Sequence, residues 1–159
     1  MLPVDLDDLF HVSSLPGLAK LIQLSVGPVF LLSAIGTILN MLTGRLARVI
    51  DRARRIEENF TPRDHPRHAG QVAELRLLDQ RIVIVNNAIF LCTASAVALC
   101  VTVATMFIAR LIGFGFARTL AVLFALALVL LIAGLVLFLI EVRIAVAAIR
   151  VKDELLERS

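Results

Sequence analysis

Three long stretches of the chain carry no charged residue: 21–42, 82–109 and 119–140. A helix rises about 1.5 Å per residue, so roughly 20 residues cross about 30 Å of hydrocarbon. All three stretches are long enough. The second exceeds the need, so it is expected to tilt or to emerge at one end. Strands are excluded, because the stretches do not alternate with period two and three strands cannot close a barrel. Composition agrees with this reading. The chain is 59% hydrophobic and 18% charged, with mean hydropathy +0.91, whereas a soluble domain is about 45–50% apolar and about 25% charged.

The first stretch does not read as a cleaved signal peptide, which would begin with a basic region and end in small residues. Here Asp5, Asp7 and Asp8 precede it and Arg45, Arg48 and Arg52 follow it, a pattern that stops translocation and marks a retained span. Nine arginines lie between the first two spans and four basic residues follow the third. The opposite side has only Lys20, Arg110 and Arg118. Short loops rich in Lys and Arg stay cytoplasmic. The expected layout is therefore a periplasmic segment 1–20, a first span 21–43, a cytoplasmic helical hairpin 44–81, a second span 82–109, a periplasmic loop 110–118, a third span 119–140 and a cytoplasmic C-terminal helix 141–159. The expected location is the bacterial inner membrane, with the amino terminus periplasmic and the carboxyl terminus cytoplasmic.

The helices are expected to continue past the membrane. Gly44 alone weakens the first helix at the cytoplasmic surface, at about 1 kcal/mol. Beyond it, Leu42, Leu46, Val49, Ala53, Ile56 and Phe60 form a heptad seam, and Val72, Leu75, Leu78, Ile82 and Val85 form another. The stretch 59–70 between them contains two prolines and ends in Gly70, so the turn falls there. Antiparallel partners at equal depth have position numbers with a constant total. Asn40 with Asn87, Arg48 with Asp79, and Asp51 with Arg76 each total 127, which predicts an amide pair and two ion pairs in one register. In the third helix, Val142, Val146 and Ile149 are the expected apolar face, with Glu141 near Arg143. The fold class is thus an all-α membrane protein with three transmembrane helices, the first two forming a long hairpin that extends into a cytoplasmic stalk.

Ser33, Gly36, Thr37, Asn40 and Gly44 recur at helical spacing on the first span, and Asn87, Ser95, Ala98, Thr102 and Thr105 make a looser stripe on the second. Such stripes let membrane helices approach and hydrogen-bond at about 0.6 kcal/mol per pair; alternatively they line a wetted pathway. No charge lies within a span, which argues against a proton relay. Arg45, Arg48, Asp51, Arg52, Arg55, Arg76 and Asp79 are candidates for lipid-headgroup or stalk contacts, basic residues near an anionic surface contributing about 1 kcal/mol each. Their interleaved acids also permit plain pairing within the stalk. Pro28 is expected to kink the first span. Cys92 and Cys100, eight apart on one helix, are too distant to bridge and read as small buried residues. Asp64, His65 and His68 sit in a proline-broken tip with no helix to fix them as metal ligands.

The stretch 27–54, centred on Arg-Leu-Ala-Arg-Val-Ile-Asp-Arg-Ala-Arg at 45–54, together with 75–87, resembles the bacterial family labelled domain of unknown function 2721. The resemblance implies an integral membrane protein and carries no assigned activity. No nucleophile elbow, phosphate loop or paired intramembrane carboxylate is present in the sequence, so no enzyme, cofactor, metal or small-molecule substrate is expected. A net charge of +3 without an aromatic stacking platform gives no reason to expect nucleic acid. The expected partners are membrane lipids and further copies of the chain. The expected role is assembly without catalysis, with further copies of the chain or with a partner protein; the alternative is a homo-oligomeric channel lined by the first or second span.

Overall fold

The computed structural model describes residues 15–112 and 117–148. They form three helices: α1, Leu15–Glu58; α2, His68–Ile112; and α3, Ala117–Ala148. Each is long and apolar enough to cross a membrane, and the described residues contain no strand. The described residues thus have the all-helical architecture of a membrane protein. The predicted segments 1–20, 110–118 and 141–159 lie partly outside the described residues.

The middle helix organises the other two. α2 packs on both α1 and α3, and the contacts follow seams with heptad spacing. On α1, Ile35, Leu42, Val49 and Ile56 are buried at every seventh position. Val49 and Ile56 cluster with Leu78, against which Ala53, Leu75 and Ile82 also pack; Leu42 and Val85 share the larger core with Ala88, Cys92, Leu99 and Ala127. Each removed side chain of this size contributes about 1.5–3 kcal/mol where water is the alternative. In hydrocarbon the gain comes from fit instead.

Fit is tightest between α2 and α3. A Cβ built on Gly134 would lie 2.7 Å from Cys92 Sγ and 3.2 Å from the Ala88 carbonyl oxygen. Only a residue without a Cβ lets the two backbones approach so closely. Farther along, the buried Ser95 hydroxyl donates to the Ala127 carbonyl at 2.7 Å. Ser95 with Ala127, Ala88 with Gly134, and Arg81 with Glu141 each total 222 in position number, so one antiparallel register joins 81–95 of α2 to 127–141 of α3.

The connection between α1 and α2 is closed by polar side chains. Gln71 Oε1 accepts from the Thr61 N–H at 3.0 Å and from its hydroxyl at 2.7 Å. Gln71 Nε2 donates to the Asn59 carbonyl at 3.1 Å. His68 Nδ1 lies 2.9 Å from the Thr61 carbonyl, and its ring meets Phe60 edge to face. These bonds satisfy backbone groups left free by the proline-broken turn.

Several expected contacts are corrected. The total of 127 holds for the apolar seam, in Leu42 with Val85 and Val49 with Leu78, but not for the polar pairs. Arg48, Asp51, Arg76 and Asp79 are exposed, as are Asn40 and Asn87, and the ion pair that forms between these helices is Arg52–Glu74 at 2.8 Å. The polar residues stand on another face than the seam, because a residue beside the seam is rotated about 100° from it. Phe60 lies beyond the end of α1 and is exposed. From residue 141 onward the buried positions of α3 are Glu141 and Ala145, whereas Val146 is 63% exposed; Ile149 lies outside the described residues. Cys92 is buried but Cys100 is exposed. α1 continues as helix through Pro28.

Candidate functional site

All three helices meet at one level. Arg45 stands just after the first uncharged stretch, Arg81 just before the second and Glu141 just after the third. Antiparallel packing therefore carries these three residues to the same edge of the apolar zone. Glu141 is completely buried. Arg81 Nη2 donates to its Oε1 at 2.8 Å and Arg45 Nη1 to its Oε2 at 3.2 Å. The Arg45 guanidinium also lies 5.3 Å from the centre of the Phe138 ring, a favourable cation–π arrangement. One carboxylate thus joins three helices. An isolated buried carboxylate is very costly, and two charge-assisted bonds offset that cost. Sequence proximity pointed to Arg143 as the partner of Glu141, but Arg143 is exposed and takes no part.

A cavity of about 310 Å³ opens beside this junction, lined by Arg45, Arg48, Val49, Arg52, Leu78, Arg81 and Ala145. Its floor is apolar and its rim is basic. Of the four arginines, two share Glu141 and one pairs with Glu74, while Arg48 Nε bonds the Gly44 carbonyl of its own helix at 3.2 Å. Arg81 Nε is buried and has no hydrogen-bond partner among the described residues. Arg45, Arg48 and Arg52 were singled out in the sequence and come together here. Arg55, Arg76, Asp51 and Asp79 do not line the cavity.

The small and polar stripes divide differently from one another. Ser95 and Thr102 are buried; Ser95 bonds α3, and Thr102 bonds the Ala98 carbonyl in its own helix at 2.7 Å. Asn87 is exposed. On α1 every member of the stripe is exposed: Ser33, Gly36, Thr37, Asn40 and Gly44. A Cβ added to Gly36 or Gly44 would meet nothing within 4 Å. Thr37 donates back to the Ser33 carbonyl, whereas the Asn40 amide makes no side-chain hydrogen bond to the described residues.

Gly134 was not singled out by the sequence, and Glu141 was noted there only beside Arg143. The signal for Glu141 was its place beside an uncharged stretch at the same edge as two arginines. For Gly134 it was a lone glycine in an otherwise large-residue run. Among the described residues no group of three or more His, Cys, Asp or Glu is placed to hold a metal ion.

Three apolar helices locked at one edge by a buried carboxylate define an integral membrane protein. The family model described as "Protein of unknown function (DUF2721)" matches residues 25–151, and the chain belongs to that family. No curated protein and no solved structure matches it.

Proposed function

We propose that this protein acts without catalysis, by assembling with further copies of itself in the membrane through the uncovered face of α1. The observation that carries the reading is the contrast in glycine environments. Gly134 is filled by the neighbouring helix, while Gly36 and Gly44 face open space on a helix whose own apolar residues, such as Phe30 at 73%, are also uncovered. Small residues permit close backbone approach between helices in lipid, and Asn40 on the same face supplies a donor and an acceptor for a partner. In this reading the arginine-rich ends of the helices form a cytoplasmic stalk, following the distribution of basic residues. A cysteine replacing Arg63 then reacts with an impermeant reagent only from the inner side; labelling in intact cells overturns the orientation.

A channel is the second reading, favoured by the common exposure of Ser33, Thr37 and Asn40 on one helix face. Asn40→Leu separates the two in reconstituted vesicles. Under assembly, the variant shifts toward monomer and no ion flux exists before or after. Under conduction, the wild type passes ions and the variant changes that flux while the oligomer survives. An oligomer and an ion flux both unchanged by Asn40→Leu and by Gly36→Leu remove the α1 face from either role.

A further inference from the structure

We infer that the arginine-lined cavity is a binding site for a phosphate group, of the kind borne by an anionic phospholipid headgroup. Three observations converge on this chemistry. First, the charges around the cavity do not balance among the described residues. Four guanidiniums line the cavity, and the carboxylates bonded to them are Glu141 and Glu74, which leaves an excess of two positive charges, matched by one phosphate monoester dianion. Arg48 in particular has no carboxylate partner among the described residues and bonds a carbonyl of its own helix. Second, Arg81 Nε is a buried donor without an acceptor among the described residues, a state that native proteins rarely tolerate because it costs about 1–3 kcal/mol. Third, the cavity has both the depth and the lining of a headgroup site. Arg45 and Arg81 flank the first two uncharged stretches, so the cavity opens where phosphates of a lipid leaflet lie. Val49, Leu78 and Ala145 offer apolar surface beneath the guanidiniums. A volume near 310 Å³ sits at the small end of ligand pockets, enough for a headgroup phosphate with its glycerol linkage.

Arginine is the residue suited to this task, since its planar fork donates two parallel bonds to phosphate oxygens. Glu141 holds the forks of Arg45 and Arg81 in place and neutralises part of their charge. Arg48 and Arg52 are left as the adaptable donors at the rim. The site is complete within one chain, so it stands or falls independently of assembly through α1.

The test uses the full chain, purified in a non-ionic detergent and in nanodiscs. Retention of phosphatidic acid over phosphatidylcholine is read by native mass spectrometry, and thermal stabilisation by each lipid or by inorganic phosphate is read separately. Wild type is expected to retain phosphatidic acid preferentially. Arg48→Gln, which removes an exposed side chain with no carboxylate partner, is expected to bind it roughly fivefold more weakly, the equivalent of about 1 kcal/mol for one arginine at an anionic surface. Arg63→Gln, an equal charge change at the turn, is expected to leave binding unaltered. Stabilisation by phosphatidic acid alone identifies a lipid site, while displacement of that lipid by inorganic phosphate identifies a site for the free anion as well; both support the inference. No preference for the anionic lipid, an unchanged affinity in Arg48→Gln, or an equal loss in Arg63→Gln overturns it.

Discussion

The α2–α3 contact and the membrane half of α1 are built from the same uncharged vocabulary, yet one is closed and the other open. Along α2 and α3, Gly134 takes the backbone of α2 against itself and Ser95 bonds across to Ala127. Along α1, Gly36 and Gly44 meet nothing, and Ile22, Leu24, Val29 and Phe30 are exposed. α1 reaches α3 through Arg45, at the arginine-rich edge. The difference shows that small residues in a span do not by themselves make a contact. What closes the α2–α3 pair is a small residue facing a backbone in a register that also satisfies a hydroxyl and a carboxylate.

The comparison breaks first at Glu141. Glu141→Gln leaves the Arg45 and Arg81 guanidiniums without a counter-charge and releases α1 from α3. A loss of about 3 kcal/mol is expected, the lower end for a broken buried pair because Arg45 is one-third exposed; thermal unfolding in detergent measures it. A single chemical change then sharpens the contrast between regions. Gly134→Ala is expected to cost about 1–3 kcal/mol by overpacking against Cys92 and Ala88. Gly36→Ala is expected to leave the dissociated chain as stable or to raise its stability by up to about 1 kcal/mol through helix propensity. Equal losses at both glycines would show that α1 is covered within the chain. Ser95→Ala removes the bond to Ala127, and an average interhelical bond in lipid is worth about 0.6 kcal/mol. The smallest effect is expected at Arg52→Ala, whose ion pair with Glu74 is exposed on both sides and contributes about 0.3 kcal/mol.

The spans were plain in the sequence because charge is excluded from hydrocarbon, and that exclusion leaves an unbroken run. The seam of Leu42, Val49, Ile56, Leu78 and Val85 was equally plain, since beyond the spans an apolar stripe stands out against arginines and acids. Within α3 that contrast vanishes. Nearly every residue from 119 to 140 is apolar, lipid and protein neighbours favour the same side chains, and no pattern marks the buried face. Gly134 and Ala127 were therefore hidden. Glu141 was visible as a residue but not as a junction, because its partners stand 96 and 60 positions away while Arg143 stands two away. The polar pairs across α1 and α2 failed for a related reason: depth is fixed by the turn, but the face is fixed by which side chains the seam leaves outside.

The central claim, that α1 packs on α2 along its seam, meets α3 at its arginine-rich edge and offers its uncovered membrane face to another copy, is tested most directly by a distance between chains. With Cys92 and Cys100 replaced by alanine, a single spin label is placed at Gly36→Cys and measured by pulsed dipolar spectroscopy in lipid. Packed helices lie about 8–10 Å apart between axes, so the account predicts a narrow intermolecular distance that disappears on dilution with unlabelled protein, while a label at Val122 on the exposed face of α3 gives a longer and broader one. A background signal at Gly36, with a defined short distance at Val122, would contradict it.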